Sequence, residues 1–321
     1  MQKFFRNIIL FSILVVVVDY AVYTFFQYQR PVDYKLFIES KTDFFANDQQ
    51  QDLLIIGDSH IANSTDPQTI ERATGLSGFN LGVYHSSPFE SYAMLKNALK
   101  KNIDRPKIVL IGTNPVMFHR ELSKGRYTPI IIDDLRISAE LAYQSVEGID
   151  ATFFLKSMRE RYLIEHLISK ATGKKYVPRR EVVSYEDGFL KYSNHIDEST
   201  WENPETIYNL HHSFNLDQVM YFEKTIQLLK NKGIQVIVVN SPIWYENLEK
   251  LEKQSEFQKF SYSLNAICST YKVPIFNRDH RVGEGTIGLN DFLDGEHLNF
   301  NGAVKFSIAL SDFIVSEGYD E

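Results

Sequence analysis

Cysteine is almost missing from this chain. Cys268 is the one thiol in 321 residues, so no intrachain disulfide can form and no cysteine-based metal site can be assembled. Dense runs of lysine and arginine are missing as well. The 34 basic residues are dispersed among 41 acidic ones, for a formal charge of −7, which leaves no phosphate-neutralising surface and excludes nucleic acid as a partner. Neither an internal repeat nor a low-complexity tract is visible. With 44% hydrophobic and 13% aromatic residues, the chain can bury the core of one large α/β domain, or of one domain carrying an insertion.

The long apolar run is at the N-terminus. "IILFSILVVVVDYAVYTFF", Ile8 to Phe26, follows Lys3 and Arg6 and at about 1.5 Å per residue nearly spans a roughly 30 Å hydrocarbon core. It reads as one uncleaved helix that anchors the chain in a membrane. Ile8 to Val18 alone suits the core of a secretory signal, but Asp19, Tyr20, Ala21, Val22 and Tyr23 supply no small-x-small cleavage site. Lys3 and Arg6 on one side face Arg30, Lys35 and Lys41 on the other, so the positive-inside count does not orient the helix. A short basic tail before a long globular domain favours that domain lying outside the cytoplasm. Asp19 sits near mid-span, where a carboxylate costs about 2.5 to 3.5 kcal/mol; a shallow helix and a contact with a second membrane protein both accommodate it. The expected organisation is an anchor over 1–30, a polar linker over 31–51, and a globular domain over 52–321 that contains an insertion over 115–214.

Beyond the linker, short apolar runs alternate with helical patterns. Strands are expected at Asp52 to Ile56, Gly78 to Leu81, Lys107 to Ile111, Gln235 to Asn240 and Val273 to Phe276, several of them apolar throughout, as in strands covered on both faces. Asp66 and Pro67 read as N-cap and first helical residue, with Gly75 past the end. Ser87, Pro88 and Glu90 form an N-cap, an N1 proline and a capping-box acid. Asn215 opens a helix whose apolar face should include Leu216, Val219, Met220 and Ile226, and Gly233 closes it. This order implies right-handed crossovers, and so a parallel sheet with helices on both faces. Pro115 to Phe214 breaks the rhythm, with helical patterns around Ile137 to Tyr143 and Phe153 to Ser169. It is too long for an ordinary connection and reads as a cap over the sheet edge.

In such a sheet ligands bind beyond the carboxyl ends of the strands. Ser59 follows the first strand in "LLIIGDSHIANS", Gly82 the second in "FNLGVYHSSP", and Asn114 the third in "VLIGTNP". Asp294 and His297 lie three apart in "DFLDGEHLNFNGA", just before a helix starting near Asn301. A serine nucleophile needs a base, the base needs an orienting carboxylate, and the tetrahedral oxyanion needs donors. Ser59, His297 and Asp294 fit the first three roles; the Ser59 and Gly82 N–H groups and the Asn114 amide fit the last. A metal reading of Asp58, His60, Asp294 and His297 has suitable ligand types but no HExxH-like helical pair. The competing plain readings are a polar strand end for Ser59 and a structural hydrogen bond for Asp294 with His297.

Four blocks, Gly57-Asp58-Ser59, Asn80-Leu81-Gly82, Gly112-Thr113-Asn114 and Asp294-Gly295-Glu296-His297-Leu298, together resemble those of the SGNH (GDSL-like) hydrolases. The likeness covers Asp52 to Asn114 and Leu216 to about Val315. It departs from the family pattern at His60, where the family name implies leucine, and at Pro115, where many members carry aspartate. The resemblance implies a flavodoxin-like three-layer α/β/α fold, no cofactor, and a serine esterase or O-acyltransferase. Similar anchored members act on acylated envelope polysaccharide or other glycans, some together with a membrane-bound O-acyltransferase. A non-catalytic carbohydrate-binding or assembly subunit is the alternative. His60 and His85 are placed to touch substrate, and Tyr127, Tyr192, Trp201 and Tyr208 of the insertion suit stacking on sugars, unless they pack the cap's own core. Asn63-Ser64-Thr65 is a glycosylation sequon that a glycan would crowd against the site, and Cys268 reads as a small core residue.

Overall fold

A computed structural model describes residues 1–29, 32–47, 50–100, 106–119, 172, 182–192, 214–277, 287–294 and 297–319. Five short strands form its main sheet: β1 (Leu53–Ile56), β2 (Gly78–Asn80), β3 (Ile108–Thr113), β6 (Gln235–Asn240) and β7 (Ile275–Phe276). The spatial order is β2-β1-β3-β6-β7, and every pairing is parallel. With those strands counted in chain order, this is the flavodoxin-like 2-1-3-4-5 arrangement. Its topological switch point lies between β1 and β3.

Strand residues alternate between two apolar layers. Leu54, Ile56, Val109, Ile111, Val236 and Val238 face one cluster; Leu53, Ile55, Ile108, Leu110, Ile237 and Val239 face the other. Both faces are covered, which is why the strands read as continuous apolar runs. The first layer is closed by α5 (Pro88–Lys100), α6 (Leu216–Asn231) and α8 (Ser255–Tyr271), and α7 (Tyr245–Glu252) adds Leu248 and Leu251 to it. The second layer is closed by α3 (Ser59–Ser64), α4 (Pro67–Thr74) and α9 (Phe300–Ser316).

The helix ends follow their sequence signals. Asp66 caps α4 through Gln68 N–H, Pro67 opens it, and Gly75 ends it at φ 75°. Ser87 N–H donates to Glu90 Oε2 at 2.8 Å, the capping-box bond that starts α5. Asn215 caps α6 through Asp217 N–H. The buried face of α6 differs from the expected one: Leu216 is 73% exposed and Met220 37%, while Gln218, Tyr221, Phe222, Thr225, Ile226 and Leu229 turn inward. Gln218 is drawn in because its Oε1 accepts the Phe89 N–H at the start of α5.

Two departures concern the chain outside the sheet. The stretch expected as a linker contains α2 (Val32–Ala46), which buries Phe37, Ile38, Phe44 and Phe45 in the first layer. Preceding it, α1 (Gln2–Gln29) is long and apolar enough over Gln2–Phe25 to cross a membrane, with none of that window buried by the rest of the protein. The insertion leaves later than expected. Pro115–His119 is a 3-10 turn whose Met117 and Phe118 belong to the core, and Asn215 N–H returns to Phe118 O at 2.9 Å, closing the stem. From the insertion the structure describes an antiparallel hairpin, β4 (Val182–Glu186) and β5 (Phe189–Tyr192). Its turn abuts the carboxyl end of β2, where Asn80 N–H donates to Asp187 O at 2.8 Å. The two helical patterns expected within the insertion lie outside the described residues.

Candidate active site

Ser59 owes its position to a sharp turn at the end of β1. Gly57 adopts φ 150°, and a Cβ there would lie 2.5 Å from Ile61 Cγ2 and 3.1 Å from Gly112 O, so only glycine lets the chain turn so close to β3. Asp58 then caps α3, its carboxylate accepting His60 N–H at 3.0 Å, and Ser59 becomes the first residue of that helix. The serine stands beside the switch point, which is where the fold places a ligand.

The partner loop approaches from the second layer. Leu293 N–H bonds to His297 O at 2.8 Å, and Phe292 pairs with Leu298, which draws Asp294 and His297 together. Asp294 Oδ1 accepts His297 N–H at 2.7 Å and lies 3.1 Å from His297 Nδ1. His297 Nε2 lies 3.1 Å from Ser59 Oγ. Both contacts are satisfied by one tautomer: Nδ1 carries the hydrogen toward Asp294, and Nε2 accepts the Ser59 hydroxyl. All three side chains are buried, Ser59 at 8%, Asp294 at 6% and His297 at 5% exposure, so their mutual electrostatics are weakly screened.

The expected oxyanion donors are differently engaged. Asn80 Oδ1 accepts the Gly82 N–H at 2.8 Å, an Asx-type turn between residues two apart, so the single hydrogen of the Gly82 amide is already committed. Asn114 Nδ2 donates to Asp58 Oδ2 at 2.9 Å and lies 3.1 Å from His60 Nδ1; with the His60 Nδ1 hydrogen turned to Asp58, the bond to Asp58 commits one of the two amide hydrogens, and Asn114 Oδ1 accepts Met117 N–H at 3.1 Å. Ser59 N–H lies in the first turn of α3, where N–H groups lack an intrahelical partner.

Other expected residues fall into place or out of it. His60 is buried, its Nδ1 3.1 Å from each oxygen of Asp58 and from Asn114 Nδ2, and its ring stacks on that of His297. His85 is exposed, at φ 55°. Tyr192 is not a stacking platform: it is 2% exposed, packs with Ala62, Leu190 and Leu293, and its hydroxyl lies 3.2 Å from that of Tyr84. Tyr127, Trp201 and Tyr208 lie outside the described residues. Asn63 of the sequon is buried and donates through Nδ2 to Leu298 O, which leaves no room for a glycan in the folded chain. Its structural role is legible after the fact, because residue i+4 from Ser59 shares that serine's helix face. Cys268 is a buried core thiol as expected.

Asn80 is the residue whose part the motif alone does not reveal. Its Nδ2 donates to Ile61 O at 3.0 Å and Thr65 O at 2.9 Å while its Oδ1 holds Gly82. It ties the second block to the helix bearing Ser59.

No family model matches the chain, and no curated protein does. Among solved structures, one of TesA superposes with a TM-score of 0.39 at 10% identity, over 82% of this chain and 97% of that one. Another, of an acylhydrolase-type protein from Bacteroides fragilis, superposes with a TM-score of 0.39 at 9% identity, over 86% and 94%. The functional reading rests on the site's own geometry.

Proposed function

We propose that this protein is a membrane-tethered serine esterase or O-acyltransferase acting on acylated glycan of the cell envelope. The observation that carries the proposal is the continuous line from Ser59 Oγ to His297 Nε2 and from His297 Nδ1 to Asp294 Oδ1, at 3.1 Å each. In the forward step Ser59 Oγ attacks the ester carbonyl and passes its proton to His297 Nε2. The imidazolium is stabilised by Asp294 across Nδ1–H, and the oxyanion by Ser59 N–H and the second hydrogen of the Asn114 amide. Collapse expels the alcohol, which takes the proton from His297 and leaves an acyl-Ser59 ester. A water or a sugar hydroxyl then gives its proton to His297, attacks the acyl carbonyl, and releases acid or acylated sugar together with the restored serine. Gly82 joins the donors if its bond to Asn80 is exchanged for one to the oxyanion.

Tethering supports the substrate class. Held by α1 with its domain outside the cytoplasm, the enzyme meets esters at the membrane surface, and Asp19 suits a polar partner inside the bilayer, such as a membrane-bound O-acyltransferase. The test is fluorophosphonate labelling together with turnover of a small acetyl ester. Ser59→Ala should abolish labelling, and Ser59→Ala or His297→Ala should each cost on the order of 10⁴-fold or more in kcat. The double variant should be little worse than either single one, because the pair acts as a unit. Full turnover by Ser59→Ala overturns the serine mechanism; an unlabelled wild type with no turnover favours a binding subunit.

A further inference from the structure

The residue after the nucleophile repeats the imidazole–carboxylate arrangement of His297 and Asp294. His60 Nδ1 lies 3.1 Å from both oxygens of Asp58, and Asn114 Nδ2 donates to the same carboxylate at 2.9 Å. The His60 ring lies face to face with that of His297, centroids 4.5 Å apart and planes within 14°. Two imidazoles, each bonded to its own carboxylate, are therefore stacked beside one serine, and all four of these groups are buried. Capping of α3 needs only the His60 backbone N–H. An apolar side chain would fill the same space without the cost of burying a second polar pair.

We propose that His60 is a positioning residue for His297: Asp58 and Asn114 fix its ring, its face sets the plane of the catalytic imidazole, and its protonation opposes that of His297. The inference rests on the serine mechanism above. Rotation of His297 about its Cβ–Cγ bond is restrained at Nδ1 by Asp294, and the stacked ring restrains the tilt that carries Nε2 toward or away from Ser59 Oγ. A misplacement of about 1 Å at such a point costs on the order of 10²-fold in rate. Charge adds a second effect. His297 becomes cationic when it takes the Ser59 proton, and a second proton on His60 sets two cations face to face, so the rings titrate as a coupled pair.

The carboxylates bonded to the two rings are Asp58 on the turn after β1 and Asp294 on the loop before α9. On the hairpin that packs against α3, Lys191 Nζ lies 3.9 Å from the Phe300 ring centroid and Tyr192 is bonded to Tyr84. With His60→Phe the flat face is kept and the second proton is not. His297 then holds its proton to higher pH, and the acid limb of kcat/KM moves upward.

The experiment measures pH profiles of kcat and kcat/KM for a small acetyl ester, using the full-length protein in detergent, for wild type, His60→Phe, His60→Leu and Ser59→Ala. His60→Leu should lose about 10- to 100-fold in kcat with KM little changed. His60→Phe should keep most of kcat and shift the acid limb upward by about one unit. An acid limb for His60→Phe superimposed on that of wild type overturns the proposal by itself, whether or not His60→Leu folds. A wild-type kcat for a folded His60→Leu overturns it as well. If either occurs while Ser59→Ala is inactive, the serine mechanism stands without it; an active Ser59→Ala removes both.

Discussion

Three hydrogen bonds of one side chain hold the candidate site to its scaffold. Asn80 is fully buried, and its amide satisfies Ile61 O, Thr65 O and Gly82 N–H at once. Removing it leaves three buried polar groups without those bonds, at about 1–3 kcal/mol for each. Asn80→Ala is expected to lower the urea-unfolding free energy by about 3 kcal/mol or more and to reduce turnover, since Ile61 lies within the helix that carries Ser59 and Thr65 caps its end. Equilibrium unfolding with ester turnover on the folded fraction checks both. The Asn80-to-Gly82 turn is legible from two residues in one tripeptide. The bonds to Ile61 and Thr65 are not, because they cross from β2 to α3, and only folding brings those carbonyls within reach.

At the scale of elements, α2 reverses the expectation of a linker. Its charged and polar residues are frequent enough to mask a short apolar stripe, and Lys41 lies on the side that turns inward. Fully buried, Lys41 donates through Nζ to Asn80 O and to Gly188 O, the latter at 2.6 Å, with the Phe37 and Phe79 rings 5.7 Å from it. Burial pushes its pKa well below the ordinary 10.5, and a neutral amine has the two N–H donors that two carbonyls require. Because the folded value is depressed, the unfolded chain binds more protons in the window between the two values. The contribution of Lys41 to stability is therefore complete above 10.5 and declines as pH falls toward the folded value. Relative to Lys41→Met, the wild type should gain stability between about pH 7 and pH 10. Urea melts of both proteins at the two ends of that range measure the difference. A wild-type-minus-variant stability that stays constant or falls as pH rises contradicts the burial of an ordinary lysine. The rotated face of α6 has a similar origin: an apolar count selects Leu216 and Met220, but the neighbour it meets presents Phe89, whose ring packs on Tyr221 at 4.6 Å.

For the whole molecule, α2 makes the segment before β1 part of the domain. Phe44 stacks on Phe79 at 4.4 Å and Phe37 packs at a tilt against Tyr84 at 4.6 Å, so this segment braces the strand and loop that carry the second block. Burying side chains of this size contributes about 1.5–3 kcal/mol each. A chain starting at Leu53 is expected to melt at markedly lower temperature than one starting at Val32, or to aggregate through the uncovered first layer. Thermal unfolding of the two truncations decides it, and equal melting temperatures would show that α2 is dispensable.

Local patterns determined much of this protein. The five strands, the caps at Asp66, Ser87 and Asn215, the apolar N-terminal helix, and the positions of Ser59, Asp294 and His297 all follow from near neighbours in the chain, through propensity, capping chemistry and the covered-strand signature. The fold class follows too, because strand–helix–strand repetition allows few topologies. Tertiary structure alone decided which polar groups meet. That Gly82 N–H is held by Asn80, that Asn114 reaches Asp58, that Tyr192 packs inward on Ala62, and that His60 stacks on His297 depends on contacts between β1, β2, β3, the hairpin and the loop before α9. Those distances are set by sheet order and layer packing, to which no single segment's pattern is sensitive.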